Sequence, residues 1–280
     1  MKHLALSLLL LSFCLASCSG LNPKEKSNAD LTKELYYDEG TRYLMEKNYT
    51  EALAKLIEAE KIAPSDSRVQ NNLGMAYFFK NRPELAIEHI NKSIALDPLN
   101  IDAKLNLGGI YFDKGRYEEA LQIFLKVKEN LTYPSQFRNY YNLGLTQTKL
   151  GKDAEAKENF LLSLNEKEDY CPSHFRLGQI FKKEGNLDKA LEHFEEASKG
   201  VCYNEPSPFY EQALILASMG RTKLAKERLI DIITRFKNDP TAIKSQIKLQ
   251  ALDQALTKNV EGNTPSSDTY SNKAGHTPDF

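Results

Sequence analysis

One spacing constrains this chain more than any other feature. Gly40, Gly74 and Gly108 lie 34 residues apart, and so do Ala52, Ala86 and Ala120. After a shift of two residues the frame resumes with Gly144 and Gly178, and with Ala156 and Ala190. A fixed period of this length marks a stack of similar supersecondary units, each too small to bury its own apolar face. The residue types have a steric logic. Gly at the eighth position of a first helix lets the second helix approach closely, and Ala early in the second helix does the same from the other side. Larger residues fill the gaps between hairpins. Pro64 and Pro98 close the first two units, because proline drives the residue before it out of helix.

Each period reads as a helix with large-x-x-Leu-Gly-x-x-aromatic, then a helix carrying Ala, a large residue four on and a small residue three later. This is the tetratricopeptide pattern. Six units can be written: 33–66, 67–100, 101–134, 137–170, 171–205 and a degenerate 206–239. The expected fold is all-α, a right-handed superhelical solenoid of about six helix hairpins. Gly115, Gly151, Gly185 and Gly220 are placed between the two helices of their units. Residues 240–258 are helical in pattern, with Ile243, Ile247, Leu252 and Leu256 forming one apolar stripe, and read as a capping helix. Residues 259–280 are rich in Gly, Pro, Ser, Thr and Asn and read as a disordered tail.

The start of the chain follows another rule. After Lys2, an apolar stretch runs from Leu4 to Leu15, too short for a comfortable membrane span and of the size of a secretory signal core. It ends Leu15-Ala16-Ser17-Cys18. Small residues directly before a cysteine match the lipobox of bacterial lipoproteins, in which the thiol takes a diacylglycerol; the alternative is an ordinary signal peptide with a chance cysteine. Residues 1–17 then form the signal peptide. Cys18 becomes the lipidated first residue, with several acyl chains, palmitate among them, giving stable anchoring. Residues 18–32 read as the anchor and a flexible tether. By resemblance to lipoproteins of Gram-negative bacteria, Ser19 in place of Asp implies an outer-membrane lipoprotein facing the periplasm.

Lys and Arg number 37 against 38 Asp and Glu, so no basic excess points to nucleic acid. No active site is legible, and no cofactor is implied. His89 and His193 share a phase in their repeats and read as repeat decoration, so no metal is expected. Cys171 opens the first helix of the fifth unit and Cys202 closes its second. Those ends lie side by side in an antiparallel hairpin, so a disulfide is expected in an oxidising compartment. It closes a loop of about 30 residues, worth about 3 kcal/mol. The alternative is two buried thiols.

In this repeat class, positions 2, 5, 9, 12 and 13 of the first helices face the concave side. Here they supply Tyr37, Leu44, Met45, Asn71, Met75, Phe78, Phe79, Leu105, Phe112, Tyr141, Leu145, Phe175 and Tyr210. Such a face suits an apolar peptide or the greasy side of an amphipathic helix. A Lys and Asn arrangement for a carboxylate terminus is not visible, since Tyr37 stands where the first Lys would be. The competing reading packs several of these side chains between helices.

Lipobox, tether and six units together resemble the type IV pilus pilotin lipoproteins, the PilF/PilW/Tgl group. The third unit, lengthened and ending Leu131-Thr132-Tyr133-Pro134, is similar to that group's extended junction. The resemblance implies a non-catalytic scaffold that binds secretin subunits and promotes their assembly at the outer membrane. Two alternatives stay open. One is a general envelope scaffold recruiting peptidoglycan enzymes or other assembly factors. The other is an enzyme with a transferase or hydrolase domain, for which only about 40 residues remain after the sixth unit.

Overall fold

The computed structural model describes the backbone of residues 27–262 and the side chains of residues 27–255. The lipobox, Cys14, Cys18 and residues 263–280 lie outside the described residues. All regular structure among the described residues is helical. The chain divides at Ile110 into two compact units.

The first unit holds helices α1 (Asn28–Met45), α2 (Tyr49–Ile62), α3 (Ser67–Phe79), α4 (Pro83–Leu96) and most of α5 (Ile101–Asp113). Helix α1 begins inside the stretch expected to be tether. Ser27 Oγ accepts from the Asp30 backbone N–H, and the Asp30 carboxylate accepts from the Ser27 N–H. This reciprocal capping box satisfies two donors at the helix start, and it turns residues 28–32 from linker into helix. A short Ser-x-x-Asp signal was hidden in a run of polar residues.

The second unit holds α6 (Tyr117–Lys128), α7 (Gln136–Lys149), α8 (Asp153–Glu166), α9 (Cys171–Lys183), α10 (Leu187–Glu196), a 3-10 turn at Gly200–Cys202, α11 (Pro206–Ser218), α12 (Thr222–Arg235) and α13 (Pro240–Gly262). The lengthened junction before α7 is held by one amide. Gln136 Nε2 lies within hydrogen-bond reach of the carbonyls of Val127, Lys128 and Asn130, in and just after the last turn of α6.

Burial follows the repeat. Along the second helices, Ala52-Leu56-Ala59, Ala86-Ile90-Ser93, Ala156-Phe160-Ser163, Ala190-Phe194-Ala197 and Ala225-Leu229-Ile232 are all shut away from solvent. The spacing of four then three puts each set on one stripe. The glycines opposite leave room for the middle member. A Cβ added at Gly144 falls 2.6 Å from Phe160 Cε1, and one at Gly40 falls 2.6 Å from Leu56 Cγ. The α-helical turns inside each hairpin need a left-handed residue. Gly115, Gly151, Gly185 and Gly220 supply it at φ 73–77°, whereas Lys47 and Asn81 take the same place at φ 59° and 58°.

Helix α13 differs from expectation in two ways. It runs to Gly262, so residues 259–262 are helix and not tail. Among the described side chains, its inward face is the expected stripe only at Leu252. Ala242 and Ser245 are buried, Leu252 packs on the core of the second unit, and Ile243 and Ile247 are each 63% exposed. Small residues win the inner position because they let α13 lie close against its neighbours, as glycine and alanine do within the repeats.

Candidate peptide-binding face

The expected face is carried by the first helices, α1, α3 and α5 in one unit and α7, α9 and α11 in the other. In the first unit, Tyr37 and Leu44 are half-buried and pack on the core formed by Leu56, Val69 and Leu73. The Arg68 guanidinium lies 4.9 Å from the centroid of the Tyr37 ring. Met75 and Phe78 are half-buried, and Met45 is exposed. Phe79 is exposed and stacks on Tyr49 at the first turn of α2, with ring centroids 4.6 Å apart.

Two expected members do not reach the surface. Leu105 is buried, taken into packing between helices. Asn71 is buried too, accepting from Asn106 Nδ2 at 2.9 Å and donating to Asn72 Oδ1 at 3.1 Å. Position five of a unit sits where the helix turns from groove to core, so a short polar or compact aliphatic side chain is absorbed there while a long aromatic one reaches out.

In the second unit, Phe112 meets the edge of Tyr117 at 5.3 Å. Tyr141 contacts Phe160 and Tyr170, and Phe175 sets its edge against Phe194 at 5.5 Å. Leu145 packs on the same core, and Tyr210 is half-buried. These rings therefore have one side on the core and one toward solvent, which gives them fixed positions without hiding them.

The sulfurs of Cys171 and Cys202 are bonded, with Cα atoms 6.3 Å apart. The crosslink ties the buried start of α9 to the 3-10 turn. Beside it lies a recess of about 310 Å³ lined by Tyr141, Pro172, Phe175, Arg176 and Pro208, among others. Sequence reasoning missed Arg176 and the two prolines. Arg176 immediately follows Phe175, so the sixth position of each unit was the signal available.

Charged groups are ordered at the edge of the first unit. Lys33 bridges Glu34 and Asp66, and Arg68 reaches the same two carboxylates. Hydrogen bonds from Arg68, then Lys33, lower the Glu34 carboxyl to about 2. Burial pushes Asp66 up, but the bonds from Arg68 and Lys33 outweigh it and bring it to about 2.

The histidines in repeat phase stack on first-helix aromatics, His89 on Tyr77 and His193 on Phe181. His89 Nδ1 pairs with Gln70 Oε1 at 2.8 Å, and His193 Nδ1 faces His174 Nδ1 at 2.9 Å. Burial, then the His174 charge, lowers the His193 pKa. Among the described residues no group of three His, Cys, Asp or Glu side chains could hold a metal ion. No helix among them is long and apolar enough to cross a membrane.

Two tetratricopeptide repeat profiles match the chain, one at residues 37–101 and 71–133, the other at 137–170 and 172–199. The type IV pilus assembly protein PilF of Pseudomonas aeruginosa is 30% identical over 187 residues, covering 66% of this chain and 74% of that one. A CTR9 homolog of Arabidopsis thaliana and the human O-mannosyl-transferase TMTC2 match at 28% and 33% identity, but the chain spans only 14% and 11% of their lengths. Among solved structures, Pseudomonas aeruginosa PilF superposes with a TM-score of 0.68 at 23% identity, over 79% of this chain and all of that one. PilW, described as a widely conserved type IV pilus biogenesis factor, gives 0.67 at 18% identity, over 76% and 97%. The structural likenesses fix the fold, and the sequence match reaches across most of a relative of the same architecture. The chain belongs to the PilF family of type IV pilus tetratricopeptide-repeat proteins.

Proposed function

We propose that this protein is a non-catalytic assembly factor that binds secretin subunits and promotes their localisation and assembly at the outer membrane for type IV pilus biogenesis. The observation that carries the reading is the match to PilF over 187 residues, which spans repeats and not one hairpin alone. The half-buried rings of Tyr37, Phe78, Phe112, Tyr141, Phe175 and Tyr210 supply affinity for an apolar partner segment. Cys18 supplies location through its acyl chains, holding the protein on the periplasmic face of the outer membrane. Affinity and location are then separable. A Cys18→Ser form binds partner in solution but fails to bring it to the membrane.

Deletion of the gene tests the proposal. The expected result is loss of heat-stable secretin multimers and of surface pili, both restored by the wild-type chain. Multimers and pili at normal levels in the deletion strain would refute it.

A further inference from the structure

We infer that the recess beside the disulfide selects two adjacent side chains in a partner segment, a bulky aliphatic one and a carboxylate. The inference rests on the proposed partner-binding role of this face and adds the chemistry that it selects. The recess is walled by the rings of Tyr141 and Phe175, by Pro172 and Pro208, and by the Cys171–Cys202 bridge. The lining is mostly apolar. At about 310 Å³ it lies at the small end of ligand pockets, the scale of one or two side chains.

Its walls are also fixed before anything binds. Tyr141 is held by Phe160 and Tyr170, and Phe175 by Phe194. The prolines have locked φ, and the disulfide ties the 3-10 turn to α9. An entering aliphatic side chain therefore displaces water without having to order the protein, which removes a main cost of association.

Arg176 supplies the second half of the pattern. Its Nη1 donates to Gln179 Oε1 at 3.0 Å, and its guanidinium carbon lies 5.9 Å from the centre of the Phe175 ring. Its Nε is buried with no acceptor, and the hydrogen-bond partner of the guanidinium among the described residues is the neutral Gln179 amide, not a carboxylate. The Nε itself is closed to solvent, so an incoming acid meets the rest of the guanidinium, which lines the recess half-buried and carries a charge that no carboxylate among the described residues offsets. Glu205 also lines the recess, but it is exposed, so solvent screens its repulsion of an incoming carboxylate. Aliphatic side chain in the recess and acid on Arg176 is thus the pairing that fits.

The test uses the full mature chain with Cys18→Ser and a fluorescein-labelled, end-blocked peptide, Gly-Ser-Ser-Leu-Asp-Ser-Ser-Gly, read by fluorescence polarisation. The expected result is saturable binding that weakens about tenfold when peptide Leu becomes Ser or when Asp becomes Asn, the scale of one charge-assisted hydrogen bond. Phe175→Ala abolishes binding. Arg176→Gln, a rim change that leaves the packed rings in place, retains binding but erases the preference for Asp over Asn. No saturable binding overturns the inference, and so does an Asp preference that survives Arg176→Gln. Parallel titration with a purified secretin subunit separates the two levels. If the subunit binds with equal affinity to wild type and both variants, the pocket assignment falls and the proposed function stands. If the peptides behave as expected and the subunit does not bind, the proposed function falls and the pocket stands.

Discussion

Replacing Gly144 with alanine isolates the steric requirement on which the repeat depends. In an open helix interior the change is favourable by about 1 kcal/mol, because glycine carries the greater backbone entropy. At Gly144 the added carbon falls 2.6 Å from one Phe160 ring atom and 2.8 Å from two others. Carbon atoms prefer about 3.5–4.0 Å, so the ring must retreat by about 1 Å. Phe160 is 1% exposed and has Tyr141 against it, so there is no free volume to take it. Overpacking of this kind costs about 1–3 kcal/mol, and the upper end applies where nothing can move. The net expectation is a loss of about 2 kcal/mol. Gly109 provides the control. It lies within α5, and a Cβ there meets nothing within 4 Å, so Gly109→Ala gains about 1 kcal/mol. Urea unfolding followed by far-ultraviolet circular dichroism reads both as shifts in midpoint. Phe160→Leu should rescue part of the Gly144→Ala loss, with a coupling of about 1 kcal/mol or more. If Gly144→Ala moves the midpoint upward as Gly109→Ala does, close approach is not why glycine stands there.

Further outcomes follow from other parts of the molecule. Lys47→Gly should raise the urea midpoint by about 0.5–1 kcal/mol equivalent, since Lys47 occupies the left-handed region at φ 59°; no change would mean the strain is absorbed elsewhere. Reducing the Cys171–Cys202 bridge, which spans 31 positions, should cost about 3–4 kcal/mol in the chain-entropy account, measured by denaturation with and without reductant. Glu34 and Asp66 have lowered pKa values in the fold, so the stability they contribute is present above their ordinary values of 4.5 and 3.8 and is lost as pH falls toward about 2. Glu34→Gln with Asp66→Asn should flatten that acid limb in melts from pH 5 to pH 2. His193 is also lowered, so the unfolded chain binds its proton first and stability declines as pH drops below 6.5. A His193→Asn variant whose acid slope near pH 6 matches wild type would contradict this.

The helical hairpins were legible because their signal is redundant. The first five units repeat Gly and Ala at the same phase and the sixth keeps Ala213 and Ala225, so a single departure does not erase the frame. Single local signals were harder to read. The Ser27–Asp30 cap occupies a polar run that otherwise reads as linker, so α1 was expected to begin later than it does. In α13 the hydrophobic stripe pointed to Ile243 and Ile247, yet Ala242 and Ser245 lie inward. Hydrophobicity ranks residues by transfer from water, whereas close helix contact selects for size, and there the two criteria disagree. The face was partly legible for a related reason. Position in the repeat says which way a side chain starts, and its length decides whether it arrives, so Phe175 reaches the groove while Leu105 and Asn71 stop in the packing. Arg176 had only its place at the sixth position of a unit to mark it. Its interest comes from a missing acceptor, which only three-dimensional neighbours reveal.

The central claim is that the inner face of the repeats, and not their outer surface, engages the secretin subunit. A photo-activated benzoylphenylalanine placed at position 175, with a second chain carrying it at exposed position 161 on α8, tests this in cells. The account predicts a crosslink to the secretin subunit from position 175 and none from position 161. Equal crosslinking from both positions, or secretin captured only from 161, would contradict it.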